Sequence, residues 1–306
     1  MRRPLAFALV FSLYATGACA NRCSDCYQEK DPDRQIRGCT SIIERGTRES
    51  RKNRSIAHYN RGLAYRRKGE FDRAIADYTK AIAIDSEYAA AYINRGNAYG
   101  RKGEIDRAIA DYSKAIAIDS EYAAAYFNRG FAYGRKGEIE RAIADYSKAI
   151  ALNPDDARAY NDRGNAYEEK GEVDRAIADY SKAIAIDPND ARAHHNRGNA
   201  YHEKGELDRA IADYTKAISL NPNDALYYNN RGIAYGKKGD VDRAIADFDE
   251  AIKLKPNDAD VYHNRGLAYV EKGDKERAIA DFRKTLEIDP SDQDAKNNLK
   301  RLGLTP

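Results

Sequence analysis

The sequence predicts an all-α solenoid of seven helix-turn-helix repeats, with an N-terminal half-repeat before them and a C-terminal capping helix after them. A glycine and a tyrosine each recur every 34 residues without insertion or deletion. The glycines are Gly62, Gly96, Gly130, Gly164, Gly198, Gly232 and Gly266, and the tyrosines are Tyr65, Tyr99, Tyr133, Tyr167, Tyr201, Tyr235 and Tyr269. A period this strict is typical of stacked repeats, in which each unit packs on its neighbours.

Residues 89–122 show how one unit builds two helices. Apolar and small residues recur at steps of three and four, which is the helical spacing. Gly103 follows two basic residues, and this combination suits the end of the first helix, since glycine readily adopts the left-handed conformation there. Asp106 then opens the second helix, where a negative charge is favourable. A proline ends most units: Pro154, Pro188, Pro222, Pro256 and Pro290.

The same unit predicts two kinds of side-chain contact. We expect Gly96 and Ala108 to let the two helices approach closely, because a larger side chain at either position would overpack their seam. Arg107 and Asp111 are four residues apart on the second helix. We expect them to form an ion pair on its outer surface.

The spacing of the small, aromatic, alanine and proline positions resembles the tetratricopeptide repeat family. In the fourth unit the pattern consists of Tyr160, Gly164, Tyr167, Ala176, Tyr180, Ala183 and Pro188. The resemblance covers residues 55–292 and implies a right-handed superhelix whose concave groove is lined by the first helices. The chain departs from the family in having no tryptophan.

The repeats set the predicted boundaries along the chain. A signal peptide covers 1–20, and a cysteine-containing segment covers 21–54, with a degenerate half-repeat at 33–45 and a basic linker at 46–54. The repeats span 55–88, 89–122, 123–156, 157–190, 191–224, 225–258 and 259–292, and the capping helix spans 293–306.

The first 20 residues have the three regions of a secretory signal. Arg2 and Arg3 precede an apolar run, and small residues lead to a cleavage point after Ala20. The apolar run is too short for a stable membrane-spanning helix. We therefore expect an exported protein, periplasmic or secreted. Lipoprotein processing at Cys19 and a buried N-terminal helix are the alternatives.

Cleavage after Ala20 would leave three cysteines, Cys23, Cys26 and Cys39, in a compartment where disulfides form. Cys39 can pair with either of the other two, and one thiol is then left over. The spacing of Cys23 and Cys26 matches a redox motif but lacks the strand-turn-helix setting of such motifs. No second cysteine pair completes a zinc site.

The charge balance argues against two classes of partner. The formal net charge is +3, and removal of residues 1–20 leaves 50 basic against 49 acidic side chains. A chain with interleaved signs and so little net charge lacks the basic surface that nucleic acids require. It equally lacks the basic cluster of an electrostatic membrane anchor. We expect no nucleic-acid partner and no transmembrane span.

Two positions of the repeat change in kind while the packing positions hardly change. The fifth residues are Tyr59, Ile93, Phe127, Asn161, His195, Asn229 and His263, and the ninth residues are Leu63, Asn97, Phe131, Asn165, Asn199, Ile233 and Leu267. In the family that the chain resembles, these positions face the groove. This implies an apolar zone with a basic edge in repeats one to three and a polar zone in repeats four and five.

The predicted peptide-binding residues are Tyr59, Leu63, Ile93, Asn97, Phe127, Phe131, Asn161, Asn165, His195, Asn199, Arg101 and Arg135. Paired exposed aromatic residues favour a contact site at Phe127 and Phe131. Tyr59 and Leu63 could equally pack against the N-terminal half-repeat. Neutral drift at exposed positions is the alternative for the whole set.

These observations predict a non-catalytic scaffold that binds a peptide or helix of a partner protein. A self-associating envelope component and a redox enzyme that uses Cys23 and Cys26 are the alternatives. The sequence has no catalytic triad order, phosphate-binding glycine loop or dense metal-ligand motif, so no catalytic residue, cofactor or metal site is predicted. The carboxylate clamp of some family members is incomplete here, because Ile93 and Asp162 stand where it needs basic residues.

Overall fold

The computed structural model describes residues 24–304. Sixteen α-helices follow one another between Pro32 and Arg301, and the described residues contain no strand. The helices are α1 (Pro32–Glu44), α2 (Arg51–Arg67), α3 (Phe71–Ile84), α4 (Ala89–Arg101), α5 (Ile105–Ile118), α6 (Ala123–Arg135), α7 (Ile139–Leu152), α8 (Ala157–Glu169), α9 (Val173–Ile186), α10 (Ala191–Glu203), α11 (Leu207–Leu220), α12 (Ala225–Lys237), α13 (Val241–Leu254), α14 (Ala259–Lys272), α15 (Lys275–Ile288) and α16 (Gln293–Arg301).

The described residues form two compact units that divide between Glu138 and Ile139. In the N-terminal unit each helix from α1 to α6 packs on the next, and in the C-terminal unit the same holds from α7 to α16. The first helices of neighbouring repeats also touch within each unit. This solenoid of helical hairpins confirms the predicted fold class.

The turn inside each repeat depends on a glycine in the left-handed conformation. Gly103 has φ of +79°, and its amide donates to the carbonyl of Gly100 at 3.1 Å. The same conformation recurs at Gly69, Gly137, Gly171, Gly205, Gly239 and Gly273. The predicted role of Gly103 is therefore confirmed, since side chains other than glycine are strained at such an angle.

The two helices of a repeat meet where a glycine of the first faces an aromatic ring of the second. A Cβ placed on Gly96 would lie 2.7 Å from Cε1 of Tyr112. The approach recurs at 2.6–2.8 Å for Gly62 and Tyr78, Gly164 and Tyr180, Gly198 and Tyr214, Gly232 and Phe248, and Gly266 and Phe282. The predicted role of Gly96 as the small residue between the two helices is therefore confirmed. The ring of Tyr112 occupies the space that a larger side chain at this position would need.

A buried ion pair also joins the two helices. Asp111 is only 5% exposed, and both of its carboxylate oxygens accept hydrogen bonds from Arg95 at 2.8 Å. The predicted surface pair with Arg107 is wrong, because Asp111 faces the first helix of its hairpin and Arg107 pairs with Glu104 at 2.6 Å. The equivalent pairs are Arg61–Asp77, Arg163–Asp179, Arg197–Asp213, Arg231–Asp247 and Arg265–Asp281.

Each of these arginines also reaches the repeat before it. The third nitrogen of Arg95 donates to the hydroxyl of Thr79 at 3.0 Å, and Arg163 donates to Ser147 at 2.9 Å. In the last repeat Arg265 instead pairs with Asp249 at 2.5 Å. One guanidinium thus links three helices. Its charge is fully compensated, as a partly buried cation requires.

The predicted linker at 46–54 is wrong in its second half. Helix α2 begins at Arg51, four residues before the predicted start of repeat one. The side chain of Ser50 caps this helix by accepting a hydrogen bond from the amide of Asn53 at 3.0 Å. The structure thus replaces most of the linker with a short 3₁₀ turn, Gly46–Arg48, and an extra helical turn.

The N-terminal segment is joined to repeat one through Cys26. Its sulfur atom lies 2.11 Å from that of Cys39, the separation of a disulfide bond. Its carbonyl accepts hydrogen bonds from Gln35 at 3.1 Å and from Asn60 of repeat one at 3.2 Å. The predicted signal peptide and Cys23 lie outside the described residues.

The glycine seam makes a prediction with a matched control in helix α4. We expect Gly96→Ala to lower the unfolding midpoint, because the added methyl meets the Tyr112 ring and overpacking costs about 1–3 kcal/mol. Gly100→Ala should be neutral or stabilising by up to about 1 kcal/mol, since only the Tyr112 hydroxyl lies near, at 3.9 Å. Urea unfolding followed by circular dichroism checks both variants, and equal midpoints would contradict the role of the seam.

Candidate peptide-binding surface

The predicted peptide-binding residues differ widely in exposure. Phe131 on α6 is 50% exposed, and Asn165, Arg101 and Arg135 are also exposed. Tyr59, Leu63, Asn97, Phe127 and Asn199 are partly buried. Ile93, Asn161 and His195 are buried at 5%, 3% and 7% exposure. The last three act as packing residues in this structure, and a contact between them and a partner stays a prediction.

The fifth residue of the repeat sits between two aromatic rings. The ring of Tyr59 lies 5.9 Å from that of Tyr78 in its own repeat and 4.8 Å from that of Tyr88, which precedes the next first helix. His195 repeats this arrangement in the C-terminal unit, 5.7 Å from Tyr214 and 4.8 Å from Tyr227. Burial lowers the pKa of His195, so that its imidazole stays neutral.

An asparagine at the sixth position of the repeat links most first helices to the preceding one. Asn196 donates to the side-chain oxygens of Asn161 at 3.1 Å and Asn165 at 3.0 Å. Further bonds of this kind run from Asn94 to Tyr59, from Asn128 to Asn97, from Asn230 to His195 and Asn199, from Asn264 to Asn229, and from Asn298 to His263. Amide contacts within each unit therefore follow the row of first helices.

This asparagine row was not predicted from the sequence, although its signal was present. Asparagine recurs with the 34-residue period at Asn60, Asn94, Asn128, Asn196, Asn230, Asn264 and Asn298. The fourth repeat alone breaks it, with Asp162. Burial raises the pKa of Asp162, and Asn161 donates to its carboxylate at 3.3 Å.

The ninth residue of the repeat is paired with the aromatic ring that faces the glycine seam. The hydroxyl of Tyr112 donates to Asn97 at 2.8 Å. Tyr180 and Tyr214 donate to Asn165 and Asn199 at the same distance. In repeats six and seven, where the ninth residue is Ile233 or Leu267, the ring is phenylalanine. The two positions therefore match in polarity in five repeats, whereas repeat one combines Leu63 with Tyr78 and repeat three combines Phe131 with Tyr146.

Repeats four and five carry a partly buried acidic zone. Glu168 lies 2.6 Å from the hydroxyl oxygen of Tyr180 and shares its single proton with Asn165. Burial raises the pKa of Glu168, the hydrogen bond opposes that rise, and the charge of Glu203 adds to it. Burial also lowers the pKa of the neighbouring His202, and the cation of Lys237 acts in the same direction.

The C-terminal unit exposes apolar side chains that lie outside the predicted peptide-binding set. Leu267 and Val270 on α14 are 43% and 42% exposed. Leu226 on α12 is 51% exposed and lines a cleft of about 420 Å³ together with Leu254 and Val261. At Val270 the signal was an apolar residue at a position that is small or polar in the other repeats, whereas Leu254 stands where every repeat has isoleucine or leucine. Exposed apolar groups of this kind are typical of contact surfaces.

Two structural features are absent from residues 24–304. No group of three or more histidine, cysteine, aspartate or glutamate side chains in this part of the chain could hold a metal ion. None of its helices is both long and apolar enough to span a membrane.

These features define a helical-repeat solenoid whose first helices carry the variable side chains. Family models described as TPR repeat match residues 62–103, 101–137, 135–171, 168–205, 198–239 and 237–273, and the model of the tetratricopeptide repeat matches 259–292. The chain belongs to the tetratricopeptide repeat family. No curated protein matches it at a significant level.

Solved structures support the same assignment. YrrB, described as a TPR protein with an unusual peptide-binding site, is 28% identical over 62% of this chain and 97% of its own, with a TM-score of 0.55. MamA is 30% identical over 53% of this chain and 94% of its own, with a TM-score of 0.51. A tetratricopeptide repeat protein from Parabacteroides merdae, 24% identical over 80% and 97% of the two chains with a TM-score of 0.59, shares the fold.

The pairing of ring and ninth residue makes a testable prediction. Tyr180→Phe should destabilise the protein by about 1 kcal/mol, because it removes the single hydroxyl proton that Asn165 and Glu168 share. Tyr78→Phe should be neutral or stabilising. It removes a buried hydroxyl whose proton has no hydrogen-bond acceptor among the described residues. Urea unfolding measures the free energy of unfolding of both variants. An equal loss of stability in Tyr78→Phe would show that the Tyr78 hydroxyl does have a hydrogen-bond acceptor.

Proposed function

We propose that this protein is a non-catalytic scaffold that binds a peptide or helix of a partner protein along the first helices of its repeats. The half-exposed Phe131 is the observation that carries the proposal, since an aromatic ring left in water is a typical anchor at protein interfaces. The family is one of scaffolds, and the similar structure of YrrB is described as having a peptide-binding site.

The surroundings of Phe131 suit an extended partner segment. Asn128 lies one turn before it on α6 and donates to Asn97 at 3.1 Å, so amide groups stand beside the ring. Arg135 follows one turn later, and its guanidinium donates to the carbonyl of Gly100 at 3.2 Å. An apolar anchor with amides on one side and a cation on the other can hold a peptide by its side chains and by its backbone.

Site-specific photo-crosslinking tests this proposal. A benzoylphenylalanine at position 131 should give a covalent adduct with a partner in an extract of the source organism's envelope and secreted proteins. The same probe at Ala110, an exposed position on the second helix α5, is the matched control and should give none. The Phe131→Glu variant should retain less than about a tenth of the partner, as the loss of a buried aromatic anchor implies. Equal yields of adduct at positions 131 and 110 would refute peptide binding along the first helices.

Self-association is a second candidate, and the charge distribution favours it. Residues 24–138 carry 22 basic and 17 acidic side chains, whereas residues 139–304 carry 27 and 32. The N-terminal unit of one copy would then attract the C-terminal unit of another, at long range and in a manner that salt weakens. Sedimentation from 50 to 500 mM salt distinguishes the two functions. A protein that stays monomeric at every protein and salt concentration would eliminate self-association.

We also propose that the chain is exported and that Cys26 and Cys39 form a disulfide. The secretory pattern of residues 1–20, and the burial of Cys26 and Cys39 in one cluster, support these proposals. Peptide mapping of the chain purified from an exporting host, without reductant, tests both. We expect a first residue of Asn21 and a linked pair of peptides that contain Cys26 and Cys39. An intact Met1, or Cys39 found as a free thiol, would refute the corresponding proposal.

A further inference from the structure

The hydroxyl of Tyr78 in repeat one lacks the asparagine acceptor that Tyr112, Tyr180 and Tyr214 have. In repeat two, Tyr112 donates to Asn97, and the residue equivalent to Asn97 in repeat one is Leu63. Tyr78 is 0% exposed, and no side chain or carbonyl among residues 24–304 accepts a hydrogen bond from its hydroxyl, toward whose oxygen Arg66 acts as a donor. Because leaving a buried donor unpaired costs free energy, a carboxylate or carbonyl oxygen supplied by a partner would be favoured at this point.

The charges beside Tyr78 are positive. Burial raises the pKa of its hydroxyl, which stays protonated, and the cation of Arg66 opposes that rise from nearby. A guanidinium donates hydrogen bonds and accepts none, so Arg66 cannot take the proton of the hydroxyl. Arg66 is exposed and has no ion pair with any described carboxylate. The hydroxyl proton of Tyr78 therefore has no acceptor among the described residues, and the guanidinium beside it can only donate.

Arginine recurs with the 34-residue period one position after Arg66, at Arg67, Arg101 and Arg135. Arg101 is exposed and has no described ion pair, and Arg135 donates only to the carbonyl of Gly100. The acidic residues Asp72 and Glu104 form ion pairs with Lys102 instead, at 2.6 Å and 3.0 Å. In repeats four and five the corresponding positions are acidic instead, at Glu168, Glu169 and Glu203.

We propose that the edge formed by Tyr78, Arg66, Arg101 and Arg135 binds the carboxylates of an acidic segment in a partner peptide. The inference rests on the proposed function and names the chemistry of the partner. One carboxylate would accept hydrogen bonds from the Tyr78 hydroxyl and from Arg66, which rotates outward to admit it. The net positive charge of residues 24–138 would attract such a segment before it docks.

Selection from a display library of random dodecapeptides on the full chain tests the inference. We expect the selected peptides to combine an apolar residue with two or more aspartates or glutamates. A labelled copy of the consensus peptide should bind at least about tenfold more tightly than a copy with asparagine and glutamine in place of the acids, because hydrogen bonds to a charged group are strong. Fluorescence anisotropy measures both affinities.

Two variants and one control locate the effect. Leu63→Asn supplies an internal acceptor for Tyr78, as Asn97 does for Tyr112, and should weaken the acidic peptide about tenfold without loss of helicity. Arg66→Gln should weaken it by a similar factor. Lys80→Gln removes the same charge from an exposed position on the second helix α3 and should leave the affinity unchanged.

The outcomes separate this inference from the proposed function. Selected peptides without acidic residues, or an amide copy that binds as well as the consensus, would overturn the acidic site. If the Phe131→Glu variant no longer bound such peptides, the proposed peptide-binding function would still be supported. A library that yields no peptide would overturn both.

Discussion

The contact between a first-helix glycine and a second-helix aromatic ring underlies most of the other contacts in this protein. Because Gly96 has no side chain, the ring of Tyr112 lies against the backbone of α4, with a would-be Cβ only 2.7 Å away. The ring then passes beneath the first helix, and its hydroxyl reaches Asn97 on the variable surface. One packing contact thus fixes the hairpin and delivers a hydrogen-bond donor to the candidate binding site.

Two polar networks extend this hairpin to its neighbours. The guanidinium of Arg95 joins Asp111 of its own repeat to Thr79 of the preceding one. Asparagines such as Asn196, each of which directly precedes one of these arginines, connect successive first helices through their side chains. A helix pair that cannot bury its apolar face alone is in this way held by the repeats on either side. The groove residues outside these networks are then free to vary in chemistry, as Phe131 does.

The sequence alone predicted the helices, the turns and the seam, because each depends on a residue type that recurs with the period. It could not predict which polar residues turn inward. Asp111 has the spacing of a surface ion pair, and only the pairing of helices across the hairpin shows that it faces Arg95. The same limit applies to the groove. Ile93 and Asn161 occupy variable positions yet lie beneath their neighbours, since the exposure of a fifth residue depends on the adjoining repeat.

Hydrogen exchange of the Gly96→Ala variant, read by mass spectrometry across the full chain, tests most directly whether each repeat depends on this contact and on its neighbours. We expect faster exchange in α4 and α5 and, to a lesser degree, in α3 and α6, with α13 to α16 unchanged. Loss of protection spread evenly over every helix would show that the chain unfolds as one cooperative body. Loss confined to α4 would show that the ring of Tyr112 does not hold the hairpin. Either result would contradict the central role of the glycine seam.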